Sequence, residues 1–261
     1  MAEGFDPALF ARLFAAEDRH FWFGARNEAL KTVIRSVRPQ LPANYKVLEV
    51  GCGTGNTLRM LREACDDAGI VVGMDLFGEG LKYARRRTSV PLVQGRVEQQ
   101  PFATPFDLVG MFDVLEHIQD DRATLRQIRA LLNPGGYLLV TVPAGKALWS
   151  RFDDEAHHCR RYEQDELRSR LVEAGLVVEY LTPFMMSLYP LARAARWWSG
   201  QANRVRLEFN RPVKSVIETD ITVRLGLNEL MALLLKWELP TLRRRALMPM
   251  GTSLMALARL P

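Results

Sequence analysis

The stretch EVGCGTGN, Glu49 to Asn56, follows the apolar run KVLEV and precedes a segment with apolar residues at Leu58, Leu61 and Ala64. That order predicts a buried strand, a tight glycine turn and a helix. Gly51, Gly53 and Gly55 let the backbone turn sharply and approach a ligand without Cβ interference, and the helix N-terminus offers unpaired N–H groups. The spacing is not GxGxxG, because position 56 is Asn and the third glycine is Gly55. A terminal Lys followed by Ser or Thr, as in phosphate-binding loops, is also missing. The turn suits a ligand without a pyrophosphate, which leaves a nicotinamide dehydrogenase a distant alternative.

The pattern continues downstream. IVVGMD (70–75) reads as a second strand, 78–87 as a helix, PLVQG as a short strand, FDLVGMFDVL (106–115) as a buried strand running into a loop, 121–132 as a helix stopped by NPGG, and YLLVTVP (137–143) as a fifth strand. Strands alternating with helices imply a doubly wound α/β sheet, whose ligands sit at the carboxyl ends of the strands. Further on, 164–174 reads as helix, and LVVEYLTP (176–183) and GTSLMALARL (251–260) as two more strands. The intervening stretch is far longer than an ordinary connection, so it is an insertion that forms a lid or an interaction surface.

Composition narrows the class. With 261 residues, 48% hydrophobic and 25% charged, the chain is an ordinary globular protein with one full core. The formal charge of +5 is carried by scattered arginines. Runs such as Arg85 to Arg87 and Arg243 to Arg245 usually form solvated helix faces, and no nucleic-acid partner is expected. Cys52, Cys65 and Cys159 form no CxxC, so neither a disulfide framework nor a zinc ribbon is indicated, and a reducing cytoplasm fits. The N-terminus lacks the basic and apolar regions of a signal peptide, and the apolar runs are too short or interrupted to span a bilayer.

Asp75 ends the second strand, where a carboxylate can accept both hydroxyl protons of a ribose. With it, the set becomes specific. EVGCGTG, GMD, FDLVGMFDVLEHIQD and LLNPGGYLLVTVP, in this order, resemble the class I S-adenosylmethionine-dependent methyltransferases. The resemblance implies a Rossmann-like, doubly wound seven-stranded sheet, mostly parallel, with an antiparallel last strand and a helical insertion before it. It also implies the cofactor, S-adenosyl-L-methionine. By position, Glu49, Gly51, Gly53 and Gly55 surround its methionine and sugar portions, Asp75 holds the ribose and Leu76 lies against the adenine. Arg96 stands where an acidic residue often contacts the adenine amine, so the backbone of Val97 takes more of that recognition, with Glu98 a lesser participant. Asp113, at the end of the fourth strand, completes the cofactor set.

HFWFGARNEAL resembles a subset of these enzymes that includes relatives of the ubiquinone-pathway O-methyltransferases. That match implies that Trp22 covers the cofactor and Arg26 pairs with its carboxylate; the alternative is an aromatic seal with a surface Arg. His117, in DVLEH, either touches the substrate or caps its loop.

The most crowded polar stretch is DDEAHHCRRY, Asp153 to Tyr162. As a metal site it is weak, because adjacent histidines point in different directions and no HxxxH spacing exists; no metal is expected. LWSRFDDEAHHCRRYEQDEL resembles a bacterial methyltransferase branch, of types 11 and 23, with a WSxxD segment leading to HxRRY. The match makes His158 a catalytic base or orienting group, and Arg160, Arg161 and Tyr162 acceptor-binding residues. The competing reading is a loop tied to the sheet by Arg–carboxylate pairs.

Positions 181–200 and the segment LNELMALLLKWELPTLRRRALMPM are rich in Met, Leu and Trp next to Arg. Such stripes are core, the lining of an apolar pocket, or a helix at a membrane interface. The organisation expected is one domain over 1–261: a helical cap (1–44), a sheet core (45–183 and 250–261) and a helical insertion (184–249). The expected function is O-methylation of a small-molecule or lipid-linked acceptor, in the cytoplasm or peripherally on the inner membrane face. A cofactor-binding partner subunit without chemistry is the alternative.

Overall fold

The computed structural model describes residues 7, 9–66, 69–99, 101–197 and 226–261. Seven strands form one sheet in the order β3-β2-β1-β4-β5-β7-β6. The strands are β1 (Lys46–Val50), β2 (Ile70–Asp75), β3 (Leu92–Gln94), β4 (Phe106–Phe112), β5 (Leu132–Pro143), β6 (Val177–Phe184) and β7 (Ser253–Arg259). Pairs among β1 to β5 are parallel, and β7 runs antiparallel between β5 and β6. This is the expected Rossmann-like methyltransferase sheet. The order reverses at β1, and the carboxyl ends of β1 and β4 open the crevice there.

The central strands are apolar on both faces because helices cover both. On one side α2 (Phe21–Val37) and α3 (Asn56–Cys65) bury Leu30, Ile34, Leu58 and Leu61 against Val47 and Leu108. On the other, α5 (Asp121–Ala130) and α7 (Gln164–Glu173) bury Leu125, Ile128, Leu167 and Leu171 against Leu138 and Val140.

Several boundaries differ from the sequence expectation. The helix after the glycine turn, which the sequence pattern carries over 54–68, spans Asn56–Cys65, because Asp66 adopts a left-handed conformation (φ 49°) that caps it. NPGG does not merely stop α5. Leu132 already pairs with Phe106, and the register then shifts so that Tyr137 meets Leu108. Asn133 donates to Asp107 (2.8 Å), which pins this irregular start of β5.

The N-terminal cap lies across the mouth of the sheet, and an arginine expected on a solvated face holds it there. Arg87, at the end of α4 (Gly78–Arg87), has a side chain only 3% exposed. It pairs with Glu17 and donates to the Phe14 carbonyl (2.7 Å) and the Thr54 hydroxyl (2.6 Å), clamping α1 (Leu9–Ala16) over the glycine turn.

After β6, Met185 enters the left-handed region (φ 59°), a short turn spans Met186–Leu188, and 189–197 is helical. Helices Leu227–Lys236 and Leu239–Arg243 then lead to β7. Buried Glu238 fastens this segment by accepting from the backbone of Met186 (3.0 Å) and Ser187 (2.9 Å). Asn228 accepts from the Phe21 N–H (2.8 Å) and donates to the Arg19 carbonyl (3.1 Å), which locks it to the start of α2. The part of the expected insertion at 198–225, and of the cap at 1–6, lies outside the described residues. No described helix is long and apolar enough to cross a membrane.

Candidate active site

A cavity of about 900 Å³ runs from the glycine turn, past the ends of β1, β2 and β4, to the loop after β5. Its two ends are built differently.

At the first end the main chain does the work. Gly51 has φ 74°, and a Cβ there would lie 2.4 Å from the Val114 side chain, so only glycine lets the turn pass beneath that loop. Gly55 has φ 79°, and its missing Cβ makes room for Ala84 at 2.9 Å. Gly55 therefore serves helix packing and lies outside the cavity lining, whereas Gly51 and Gly53 line it. Asn56, where a dinucleotide fingerprint would have glycine, accepts from Asn27 (2.7 Å) and donates to Asp18 (3.3 Å), tying the turn to the cap.

Asp75 accepts from the Gly53 N–H (2.7 Å) through one carboxylate oxygen and from the Phe77 N–H (2.8 Å) through the other. Burial raises it above the ordinary carboxylate range, against the pull of those N–H groups. The Leu76 N–H adds a third such bond, and the carboxylate still has acceptor capacity for a ligand hydroxyl. Glu49 is 1% exposed; burial, offset in part by the Thr57 hydroxyl and Arg26, pushes it up to about 8. Its Oε2 and the Nε of Arg26 are buried polar atoms without a hydrogen-bond partner among the described residues. Trp22, Leu76, Val97 and Asp113 line the same end.

One contact departs from expectation. Arg26 donates to Asp113 (2.8 Å) beneath the Trp22 ring, 5.0 Å from its centroid, so the guanidinium foreseen for a ligand carboxylate has an internal carboxylate partner. Its Nε still points to unmet demand.

At the second end, side chains from separate loops converge. Asp153 is fully buried in α6 (Arg151–Glu155), where it closes a capping box with Ser150. Its Oδ1 meets the Nδ1 of His158 at 2.8 Å and accepts from the Nε of Arg161 at 2.8 Å. Burial would raise this carboxyl, yet the hydrogen bond from His158 and the charge of Arg161 hold it below its ordinary range. An ionised carboxylate only accepts, so the Nδ1 of His158 is the donor in this contact, and in the neutral imidazole the lone pair then lies on Nε2.

His117 stands edge-on to His158, ring centroids 4.8 Å apart. Burial and the neighbouring His158 lower His117 to about 3, so it is neutral at physiological pH. Glu116 is 1% exposed, and burial beside Asp113 raises its carboxyl well above the usual range. Glu116, His117 and His158 bring potential ligand atoms within 4.8 Å of one another, a convergence that the spacing of adjacent histidines in sequence did not reveal.

Two residues of the HxRRY stretch face elsewhere. Arg160 pairs with Asp121 (2.7 Å) and donates to the Gln119 carbonyl (2.7 Å). Tyr162 is fully buried and donates to Asp121 (2.9 Å). Neither lines the cavity, whereas Arg161 and His158 do; Tyr162 forms a bridge beside β5, and alternation there turns Arg161 to the side opposite Arg160 and Tyr162. Sequence reasoning missed Glu116 as a buried lining group and gave Asp153 no role. An acid five residues before a histidine was the available signal for Asp153, but without the turn of α6 it carries no direction.

The sheet order and the cavity at its crevice are those of the class I methyltransferase fold. Residues 16–181 match the family described as Methyltransferase domain, and the chain belongs to that family. The ubiquinone biosynthesis O-methyltransferase of Photorhabdus laumondii is 34% identical over 113 residues, 40% of this chain and 45% of that protein. An uncharacterized protein of Methanocaldococcus jannaschii is 32% identical over 120 residues, 45% of each chain. The matched stretch thus spans less than half the length of these curated relatives. Among solved structures, a chain of the complex between the Haloferax volcanii Trm112 methyltransferase activator and a methyltransferase superposes with TM-score 0.60 at 18% identity, covering 98% of this chain and 97% of that one. A SAM-dependent methyltransferase from Aquifex aeolicus gives TM-score 0.51 at 19% identity, covering 69% and 93%.

S-adenosyl-L-methionine is the methyl donor of the family, and the first end of the cavity fits it. Asp75 offers a diol acceptor, the glycine turn leaves space, and the free atoms of Glu49 and Arg26 suit the charged amino-acid portion.

Proposed function

We propose that this protein methylates an oxygen of a small-molecule or lipid-linked acceptor, with His158, oriented by Asp153, as the base. The bound cofactor supplies a methyl group already activated by its sulfonium, so the protein's tasks are alignment, exclusion of water and removal of one proton. Asp75, Glu49, Gly51 and Gly53 hold the donor; Trp22, with Arg26 beneath it, closes over it. Nε2 of His158 takes the hydroxyl proton as the new O–C bond forms. His117, neutral and weakly basic, shapes the wall beside it. Arg161 holds Asp153 in place and turns its remaining N–H groups to the acceptor, while Arg160 and Tyr162 brace the loop from behind.

The observation that carries this reading is the 2.8 Å Asp153–His158 contact in the same cavity as Asp75 and the glycine turn. The apolar segments after β6 that join the lining favour an acceptor with a hydrophobic part. The HxRRY stretch supports placement in a bacterial branch of the family. Cys52, Cys65 and Cys159 form no disulfide among the described residues, which suits a reducing cytoplasm.

The test is transfer of label from methyl-labelled cofactor to an organic extract of the source cells. His158→Gln should lose on the order of 100-fold or more in rate and flatten the pH profile, with cofactor affinity intact. A variant profile matching the parent's would remove the base. Cofactor binding with no label transfer would instead favour a partner subunit without chemistry.

A further inference from the structure

Leu191 and Leu227 line the cavity and are nonetheless 54% and 50% exposed, so they mark the rim where it opens. From this rim an apolar surface continues along helix Leu227–Lys236. Leu230 is 51% exposed, Leu233 55%, Leu234 36% and, just beyond the helix, Trp237 77%. Leu227, Leu230, Leu234 and Trp237 recur every three or four residues and share one side. The other side is already used, since Leu235 is buried in the core that α2 shares. The helix therefore has two apolar faces, and the described residues cover one.

Charge supplies the identity of what covers the second. Lys236, Arg243 and Arg244 are exposed next to the stripe and form no ion pair among the described residues. The exposed acid of the helix, Glu229, is engaged with the Gly226 N–H (2.5 Å). Leu247 (67%) and Met250 (42%), which follow these basic residues in sequence, are exposed as well. An isologous contact with a second copy would bring the same cationic edge towards its own copy. A leucine stripe ended by a tryptophan and rimmed by Lys and Arg instead matches the boundary between lipid headgroups and acyl chains.

We infer that helix Leu227–Lys236 and Trp237 dock on an anionic lipid bilayer and open the cavity rim at Leu191 and Leu227 towards it. This rests on the reading of the acceptor as hydrophobic or lipid-linked: such a molecule reaches His158 without passing through water. The basic residues sit at phosphate level, and binding weakens with salt.

The experiment is flotation of the full chain with vesicles of phosphatidylcholine alone and of equal parts phosphatidylcholine and phosphatidylglycerol. The chain should float with the mixed vesicles, less with the neutral ones, and be released by salt. Leu230→Gln, Leu234→Gln and Trp237→Gln combined should cut the bound fraction at least about tenfold with calorimetric cofactor affinity unchanged. Arg243→Gln with Arg244→Gln should erase the preference for phosphatidylglycerol. Failure of the parent to float with either vesicle, or equal flotation of the triple variant, would overturn the docking. So would a dimer in light scattering that the triple variant dissolves, which would assign the face to a second copy. Flotation without label transfer to any lipid would leave the docking standing and defeat the acceptor reading.

Discussion

The two ends of the cavity differ in how they are made. The cofactor end is centred on one continuous stretch, β1, a glycine turn and α3, to which α2, β2 and the loop after β4 add single side chains, and backbone N–H groups fix its Asp75. The second end draws Glu116 and His117 from the loop after β4, and Asp153, His158 and Arg161 from the loop after β5. Main-chain recognition depends on local conformation, and few residue types allow it. Side-chain recognition depends on which distant loops meet, and many sequences could supply it.

Four experiments would break or sharpen that contrast. Gly51→Val should act most strongly and only at the first end. The added side chain must displace Val114 and hold an unfavourable φ, so cofactor affinity should fall on the order of 100-fold or more by calorimetry. Near-parental affinity would show that the turn does not shape the site.

Asp153→Ala should act at the second end and through stability. It strands the buried Arg161 guanidinium, at a cost of about 3 kcal/mol in chemical denaturation, with cofactor affinity within about threefold of the parent. A parallel loss of affinity would mean that the two ends are one cooperative unit.

The third experiment uses pH, because the ends titrate with opposite sign. Glu49 is raised from 4.5 to about 8, so between those values the folded state holds a proton that the unfolded state lacks, and stability from this group falls as pH rises. His117 is lowered from 6.5 to about 3, so the unfolded state binds the extra proton there. Its contribution is full above about 6.5 and is lost as pH drops towards 3. Thermal midpoints from pH 4 to 8 should therefore diverge from the parent in opposite directions for Glu49→Gln and His117→Asn. Parallel curves would contradict the assignment.

The smallest effect concerns Tyr162. Tyr162→Phe removes one buried hydrogen bond to Asp121 and should cost about 1 kcal/mol, with KM for the acceptor unchanged. A raised KM would return Tyr162 to the acceptor site.

Much of the fold was legible because hydrophobic periodicity is a local property. KVLEV and IVVGMD coincide with β1 and β2, and the segment 78–87 with α4. The order β5-β7-β6 came from resemblance, since two late strands do not by themselves state which pairs with β5. Arg85 to Arg87 looked like one solvated run, yet Arg87 is buried on Glu17, because α1 folds back over α4 and no local pattern encodes that return. In HHCRRY the residue types were visible but their directions were not. Pairing of Tyr162 beside β5 sends Arg161 to the cavity and Tyr162 and Arg160 to Asp121.

By itself, then, the sequence determined the glycine turn, the carboxylate at the end of β2 and the alternation of strands and helices, and with them the donor end. These follow from φ preferences and burial patterns within a few residues of one another. Only the tertiary structure decided that Asp153 meets His158, that Asp113 partners Arg26, and that a leucine and tryptophan face is exposed among the described residues beside the cavity rim. Each of those depends on contacts between segments far apart in the chain, whose meeting is set by how the whole sheet and its helices pack.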